Sequence, residues 1–179
     1  LRYGFNDVQA QAARSALAAW ASVANLSFRE VAETASGNTV GDLRFAYSSG
    51  DMDSDTWGQA YFPSASPEGG DVWLSALSSS ANSTDPTDWL PGTFNHESLI
   101  HELGHALGLK HPGNYGGGSS PPYLSSLYDS TRYTVMSYND APDIYRRVSF
   151  DAGGRAQFDY FSIQPDTPMV LDIAAIQYL

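Results

Sequence analysis

Hydrophobic positions near the start of the chain follow first a strand period and then a helix period. Over residues 1–6, apolar residues alternate with polar or small ones, which predicts a strand. From residue 7 the apolar residues recur at helical spacing, and Asn6 with Gln9 matches the capping box that opens many helices. The pattern therefore predicts a long helix over 7–25 whose apolar stripe places Trp20 in the core.

The rest of the chain alternates between short strand patterns, polar loops and two further helices. Alternating residues between turn residues predict four more strands, over 26–33, 41–48, 57–62 and 70–76. Helical spacing predicts helices from about Asn95 to Leu107 and over 169–179. Segments rich in polar residues, Gly, Ser and Pro predict loops over 78–94 and 112–130. This order of elements is typical of an α/β or α+β fold with a mixed sheet.

Composition narrows the class of protein. The chain has 179 residues, 42% of them hydrophobic, which is enough for the core of one domain. No apolar run approaches the roughly 20 residues that cross a bilayer. A net charge of −11 at pH 7 argues against nucleic-acid partners and anionic membrane surfaces. The absence of cysteine excludes disulfide bonds and thiolate metal sites.

A run of acidic residues raises the question of calcium. Asp51, Asp53 and Asp55 imitate the start of an EF-hand loop. Thr56 stands where that loop needs glycine, and Phe62 stands where it needs a bidentate glutamate. The sequence therefore favours a solvated acidic turn over a calcium site.

Three of the four histidines in the chain lie within the segment "HELGHALGLKH". His101 and His105 are four residues apart, so on a helix they project from one face and can offer two imidazole nitrogens to one metal ion. Glu102 lies one position round the helix, close to such an ion without having to ligate it. This H-E-x-x-H geometry predicts a zinc site with Glu102 as general base to a zinc-bound water.

The residues that follow supply a third ligand. A glycine can take the left-handed conformation that ends a helix, so Gly108 would turn the chain and bring His111 to the open side of the metal. His96 lies five residues before His101, which directs it away from the metal, and we expect a surface or first-turn residue there. Three protein ligands leave one zinc position open, as in a catalytic rather than a structural site.

The extended motif H-E-x-x-H-x-x-G-x-x-H, followed by Met136 in "YTVMSYND", resembles the metzincin zinc metalloproteases. The segments "SALAAWASVANLSFREV", "STRYTVMSY" and "DIAAIQYL" are similar to the serralysin branch of peptidase family M10. The resemblance implies a single metzincin-like catalytic domain over 1–179. Its mixed sheet would be twisted and mostly parallel, beside a long N-terminal helix, an active-site helix and a C-terminal helix.

The same resemblance implies roles for single residues. His101, His105 and His111 would bind one catalytic zinc ion, with Gly108 as the structural turn between them. Met136 would form an apolar floor beneath the metal, and Tyr138 would be a catalytic tyrosine that can also ligate zinc. The strand "GDVWLSA" would be the edge strand that bounds the cleft and pairs with an extended substrate, through Gly70, Asp71, Val72 and Trp73.

Function and partners follow from the resemblance as expectations. It implies a secreted, extracellular bacterial zinc endopeptidase, monomeric, with protein or peptide substrates and a proteinaceous inhibitor as a further partner. Serralysins continue into glycine-rich calcium-binding repeats, and none occurs in these residues, so no clear motif supports a calcium ion. Two rival functions stay open: a zinc-containing binding domain without turnover, and a metal amidase that acts on non-protein amides.

Overall fold

The computed structural model describes residues 2–34, 37, 39–50, 52, 54–116, 119–142 and 145–179. The elements follow one another in the order β1 (Arg2–Tyr3), α1 (Asp7–Val23), β2 (Phe45–Ser48), β3 (Gly58–Ala60), β4 (Val72–Ser75), a 3-10 helix (Pro86–Trp89), α2 (Phe94–Ala106), β5 (Tyr145–Phe150), β6 (Ala156–Phe161) and α3 (Val170–Tyr178). Three helices with small mixed sheets make this an α+β fold, as predicted.

Four strands form the main sheet in the order β1-β2-β4-β3. β2 and β4 are parallel, whereas β1 pairs with β2 and β3 pairs with β4 in antiparallel fashion. The sheet is therefore mixed as predicted, but the expectation of a mostly parallel sheet is wrong for the strands that the structure describes. Because β4 lies between β2 and β3, the outer edge of the sheet beside α2 belongs to β3.

Helix α1 begins where the sequence predicts. The side chain of Asn6 accepts a hydrogen bond from the Gln9 amide at 3.0 Å, and the Gln9 side chain accepts one from the Asn6 amide at 2.9 Å. This reciprocal capping box satisfies two amides that have no partner within the helix. Trp20 is fully buried and its indole donates to the Ile100 carbonyl at 3.1 Å, so α1 is fixed against α2 through the core.

Two predictions about strands were wrong. Residues 26–33 form no strand, because no strand of the described chain lies alongside them; the segment is held on α1 by the Arg14–Glu30 ion pair at 2.9 Å. Conversely, β5 and β6 form an antiparallel hairpin that the sequence analysis did not predict. Every residue of these two strands is exposed, so the hairpin lies on the surface rather than in the core. Its sequence did contain the period of a strand, with Val148 and Phe150, and then Phe158 and Tyr160, at alternate positions.

Two further findings concern the acidic run over 51–55 and the possibility of a membrane-spanning helix. Asp51 and Asp53 lie outside the described residues, and Asp55 is exposed. In the part of the chain that the structure covers, every helix is too short or too polar to pass through a bilayer.

Candidate metal centre

Helix α2 runs through the centre of the molecule and carries the first two histidines. The Thr93 hydroxyl caps its first turn by accepting from the His96 amide at 3.4 Å, and all but the first of its residues are buried. His101 and His105 lie on successive turns. His96 lies in the first turn and is buried rather than on the surface, because its Nε2 is hydrogen-bonded to the Asp166 carbonyl at 3.1 Å.

The turn at the end of α2 brings His111 close to the other two histidines. Gly108 has a φ of +107°, a conformation that favours glycine. The Gly108 amide donates to the His105 carbonyl at 2.9 Å and the Leu109 amide donates to the Gly104 carbonyl at 2.8 Å, which is the Schellman pattern. This turn reverses the chain within three residues, so His111 returns to the face of the helix that carries His101 and His105.

The three imidazoles converge on one point. The Nε2 atom of His111 lies 3.1 Å from that of His101 and 3.0 Å from that of His105. The three residues each offer one ligand atom, and these three atoms all lie within 4.8 Å of one another. Zinc–nitrogen bonds of about 2.0–2.1 Å in a tetrahedral site would separate neighbouring nitrogens by about 3.3 Å. The arrangement therefore fits a zinc ion.

Hydrogen bonds on the far side of two rings fix their tautomers. His101 Nδ1 lies 2.7 Å from the Val135 carbonyl and His105 Nδ1 lies 2.7 Å from the Leu109 carbonyl. Since a carbonyl can only accept, both Nδ1 atoms carry the proton and both Nε2 lone pairs face the centre. Burial lowers the pKa of His101 to about 3 and that of His111 to about 4, and it also lowers the pKa of His105, which favours the neutral rings that bind metals.

A buried carboxylate from α3 holds the loop that orients His101. Asp172 accepts from the Thr134 hydroxyl at 2.5 Å, from the Val135 amide at 2.8 Å and from the Met169 amide at 2.8 Å. Burial raises the pKa of Asp172, while these three hydrogen bonds lower it. The Val135 carbonyl in turn accepts a hydrogen bond from the His101 ring. Asp172 therefore links the C-terminal helix to the metal centre through Val135.

Glu102 lies between two cavities that flank the histidines. We name them the Lys110 cavity, of about 530 Å³, and the Glu97 cavity, of about 420 Å³. Glu102 and Tyr138 line both. Burial raises the pKa of Glu102 to about 8, and a backbone hydrogen bond from Ala60 of β3 lowers it. A divalent cation held by the three histidines would favour the carboxylate form that a general base requires.

Met136 and Tyr138 surround the histidines from the loop before β5. Met136 is buried against α2 at Gly104, where a Cβ atom would overlap the Met136 sulfur. The Tyr138 ring packs on two histidines, with centroids 4.6 Å from His111 and 5.5 Å from His101. Both residues therefore lie beside the metal centre.

The strand predicted to bind the substrate is not the edge strand that borders the cleft. Val72 and Trp73 belong to β4, which is an interior strand of the sheet, and neither they nor Gly70 and Asp71 line the two cavities. Asp71 is buried in an ion pair with Arg44 at 2.7 Å, a structural contact. The edge strand beside the metal centre is β3, whose three residues all line the Lys110 cavity.

Several residues of the centre were missed by the sequence analysis. Gly104 stands inside a helix, and an interior glycine often marks close packing, which was an available signal. Glu97 lies one helical turn before His101 on the same face, a spacing the sequence also contains. By contrast, Gly58 and Asp172 reach the site through strand order and helix docking, for which the sequence offers no local signal.

Comparison with known proteins places the chain in a family. The profile of the matrixin family, Peptidase_M10, matches residues 5–124. The chain belongs to this family of metzincins, and its relatives are serralysin-like. M10 metalloproteases use a catalytic zinc ion, and the three histidines form a group that could bind it.

Three relatives illustrate the similarity. The chain is 36% identical to a serralysin of Proteus mirabilis over 99% of its own length and 35% of the relative's. It is 33% identical to serralysin A of Dickeya chrysanthemi, over 98% of the chain and 33% of that protein. It is 35% identical to metalloprotease AprA of Pseudomonas entomophila, over 98% of the chain and 34% of that protein. The chain thus spans about a third of the length of these relatives.

Proposed function

We propose that this chain is a zinc-dependent endopeptidase domain that hydrolyses peptide bonds in proteins or peptides. The observation that carries the proposal is the convergence of the His101, His105 and His111 Nε2 atoms beside the buried carboxyl group of Glu102. Membership of the matrixin family and similarity to serralysins support it.

The three histidines would hold the zinc, and Glu102 would act as the general base. When bound, zinc lowers the pKa of a water toward 7 and polarises the carbonyl of a substrate. Glu102 accepts a proton from the attacking water and then gives it to the leaving amine. Its position between the two cavities supports this role, because a substrate that occupies both cavities would carry its scissile bond past Glu102.

Tyr138 would stabilise the charge that develops on the scissile carbonyl oxygen. Its ring packs on His101 and His111, and the residue lines both cavities, which supports this role. A hydrogen bond from that hydroxyl would favour the transition state over the ground state. Met136 would act as the apolar support of the centre, and Gly108 as the turn that brings His111 into it.

An extended substrate would pair with the edge of β3. Gly58, Gln59 and Ala60 border the cleft, and β3 has a strand neighbour on one side alone among the described strands. Main-chain hydrogen bonds along such an edge hold a peptide without regard to its sequence. Side-chain preference would then come from the two cavities.

The remaining expectations concern the protein as a whole. We propose that residues 1–179 act as a single catalytic domain, that it works as a monomer, and that the protein is secreted by a bacterium. The resemblance to serralysins supports export, and the bacterial origin of the relatives supports a bacterial source. A proteinaceous inhibitor stays a proposed partner.

Digestion of casein and of a peptide library, with metal analysis of the same sample, tests the proposal. We expect one zinc ion per chain, cleavage within peptides, loss of cleavage with a chelator, and recovery when zinc is returned. Intact peptides in the presence of a full complement of zinc would instead indicate a binding domain. Hydrolysis limited to non-protein amides would indicate an amidase.

A further inference from the structure

The Glu97 cavity differs from the rest of the cleft in its charge. Four carboxyl groups line it, those of Asp55, Glu97, Glu102 and Asp140, and no Lys or Arg is found among the described residues of its wall. Glu97 and Glu102 are buried in its interior, whereas Asp55 and Asp140 are exposed at its mouth. At about 420 Å³ it is large enough to admit a long side chain.

Glu97 is the residue of this cavity that needs an explanation. It is 8% exposed, and within the described chain its carboxyl group makes no hydrogen bond and no ion pair. Burial, together with the charges of Asp140, Glu102 and Asp172, raises the pKa of Glu97 to about 8. The first turn of a helix favours an acidic residue only slightly, which does not account for the burial of an unpaired carboxyl group.

Glu102 and Glu97 have different partners. Glu102 receives a backbone hydrogen bond from Ala60 and adjoins the histidines, so the proposed proton transfer accounts for its burial. Glu97 lies a turn further from the metal centre, and the proposed mechanism makes no use of it. A buried acceptor without a donor is the arrangement that a cationic ligand completes.

The wall of the cavity also suits the stem of a basic side chain. Trp57 lines it, and this indole is held in place by a hydrogen bond from its Nε1 to Asn95 Oδ1 at 2.9 Å. A fixed aromatic ring can pack against the methylene groups of lysine or arginine and against a guanidinium group. Polar groups at the end and an apolar wall along the side match the two parts of such a side chain.

We propose that the Glu97 cavity is a specificity site that binds an arginine or lysine side chain of the substrate at one position beside the scissile bond. Glu97 would form a charged hydrogen bond with the guanidinium or ammonium group, and Asp140 would add attraction at the mouth. Arginine fits better than lysine, because its planar group can bridge two carboxylates. The inference rests on the proposed peptidase function and names the substrate that the same cleft prefers.

Cleavage of matched peptides by the zinc-loaded protein tests this directly. A peptide series of one parent sequence would carry Arg, Lys, norleucine or Glu at each position that flanks the scissile bond in turn. We expect Arg and Lys to raise kcat/KM about tenfold or more over norleucine at one position, with Glu the poorest there. Equal rates for all four residues at every position would overturn the inference.

Variants then assign the preference to its residue. Glu97→Gln should reduce the ratio of kcat/KM for arginine over norleucine by about tenfold or more. Asp140→Asn, at the exposed mouth, should reduce that ratio less, and it keeps the test open if Glu97→Gln fails to fold. The matched control is Asp159→Asn on β6, outside the cavity, which should keep the parent ratio.

A binding measurement separates specificity from turnover. Calorimetry with Nα-acetyl-arginine amide should detect binding to the zinc-loaded parent, and weaker binding to Glu97→Gln at equal zinc content. If the parent cleaves no peptide at all, the proposed peptidase function fails. If it cleaves peptides but the arginine preference survives in Glu97→Gln, the peptidase function stands and the assignment of the cavity fails.

Discussion

Each of the two cavities beside the histidines has a charged residue that the other lacks, Lys110 in one and Glu97 in the other, and these two residues have different partners. Lys110 donates to the carbonyl oxygens of Ser120 and Pro122, the second at 2.9 Å, and its ammonium group lies 5.5 Å from the centre of the Tyr123 ring. Glu97 has no such partners among the described residues. Lys110 is exposed, while Glu97 is buried.

The difference indicates which charge is available to a ligand. The donors of Lys110 are engaged by the loop over 119–123, so its charge helps to build the wall of its cavity. The carboxyl group of Glu97 lines its cavity and has no partner within the described chain, so it is available to a cationic ligand, which would favour its ionised form. Whether a charged residue in a cleft can bind a ligand therefore depends on whether groups of the chain already occupy its donors or acceptors.

The largest expected effect comes from Glu102, which lines both cavities. Glu102→Gln replaces the carboxylate with an amide of nearly the same shape, and since Glu102 is not expected to bind the metal, zinc content should be kept. Proton abstraction should fail, with kcat/KM lower by at least about 10²–10⁴-fold. Peptide hydrolysis and metal analysis on one sample check this, and retained hydrolysis would mean that another residue is the base.

Tyr138 also borders both cavities, and its loss should be smaller. Tyr138→Phe keeps the ring that packs on His111 but removes the hydroxyl group. The loss of one oxyanion donor should lower kcat about 10²-fold, with little change in KM. Steady-state kinetics with zinc analysis decide the matter, because a tyrosine that merely packs in the cleft would leave kcat as it is.

His96 supports the Glu97 cavity from behind. Its ring holds the Asp166 carbonyl, two residues from Gln164 in the cavity wall. His96→Ala should lower the free energy of unfolding by about 1–3 kcal/mol, because the buried His96 ring and its hydrogen bond to the Asp166 carbonyl are both lost. Zinc content and turnover should stay within a few-fold of the parent. Denaturant unfolding and metal analysis provide the check, and loss of zinc would contradict the arrangement of α2.

Lys110 should give the smallest effect. Lys110→Met keeps most of the stem and removes the charge that the loop carbonyls share. Since the residue is exposed, Tm should fall by no more than about 2–4 °C, and the preference for residues on that side of the cleft should change less than a few-fold. A tenfold change in preference, measured with the same peptide series, would show that the Lys110 charge is available to ligands and would remove the contrast with Glu97.

Local patterns predicted the helices well and the strands less well. The capping box of Asn6 and Gln9 and the helix of the histidine motif depend on residues a few positions apart, so the sequence contains their cause. A strand needs a neighbour, and residues 26–33 have none in the described chain. The hairpin of β5 and β6 shows the reverse case, where glycines at 153–154 between alternating residues were the available turn signal.

The candidate site divides in the same way. The grouping of His101, His105 and His111 could be predicted, because helical spacing and the turn at Gly108 bring them together within eleven residues. The identity of the edge strand could not, since it depends on the order of strands that are distant in sequence. For this reason the sequence assigned substrate binding to Val72 and Trp73 of β4, while β3 borders the cleft.

The contact of Asp172 with the loop around Val135 has a thermodynamic consequence. Zinc binding would order His101, which donates to the Val135 carbonyl, while the Val135 amide donates to Asp172 of α3. By linkage, the free energy that docking of the C-terminal helix adds to metal binding equals the free energy that the bound metal adds to docking of that helix. Metal binding and docking of the C-terminal helix are then coupled equilibria, and chelation would weaken the docking of a helix that contributes no ligand.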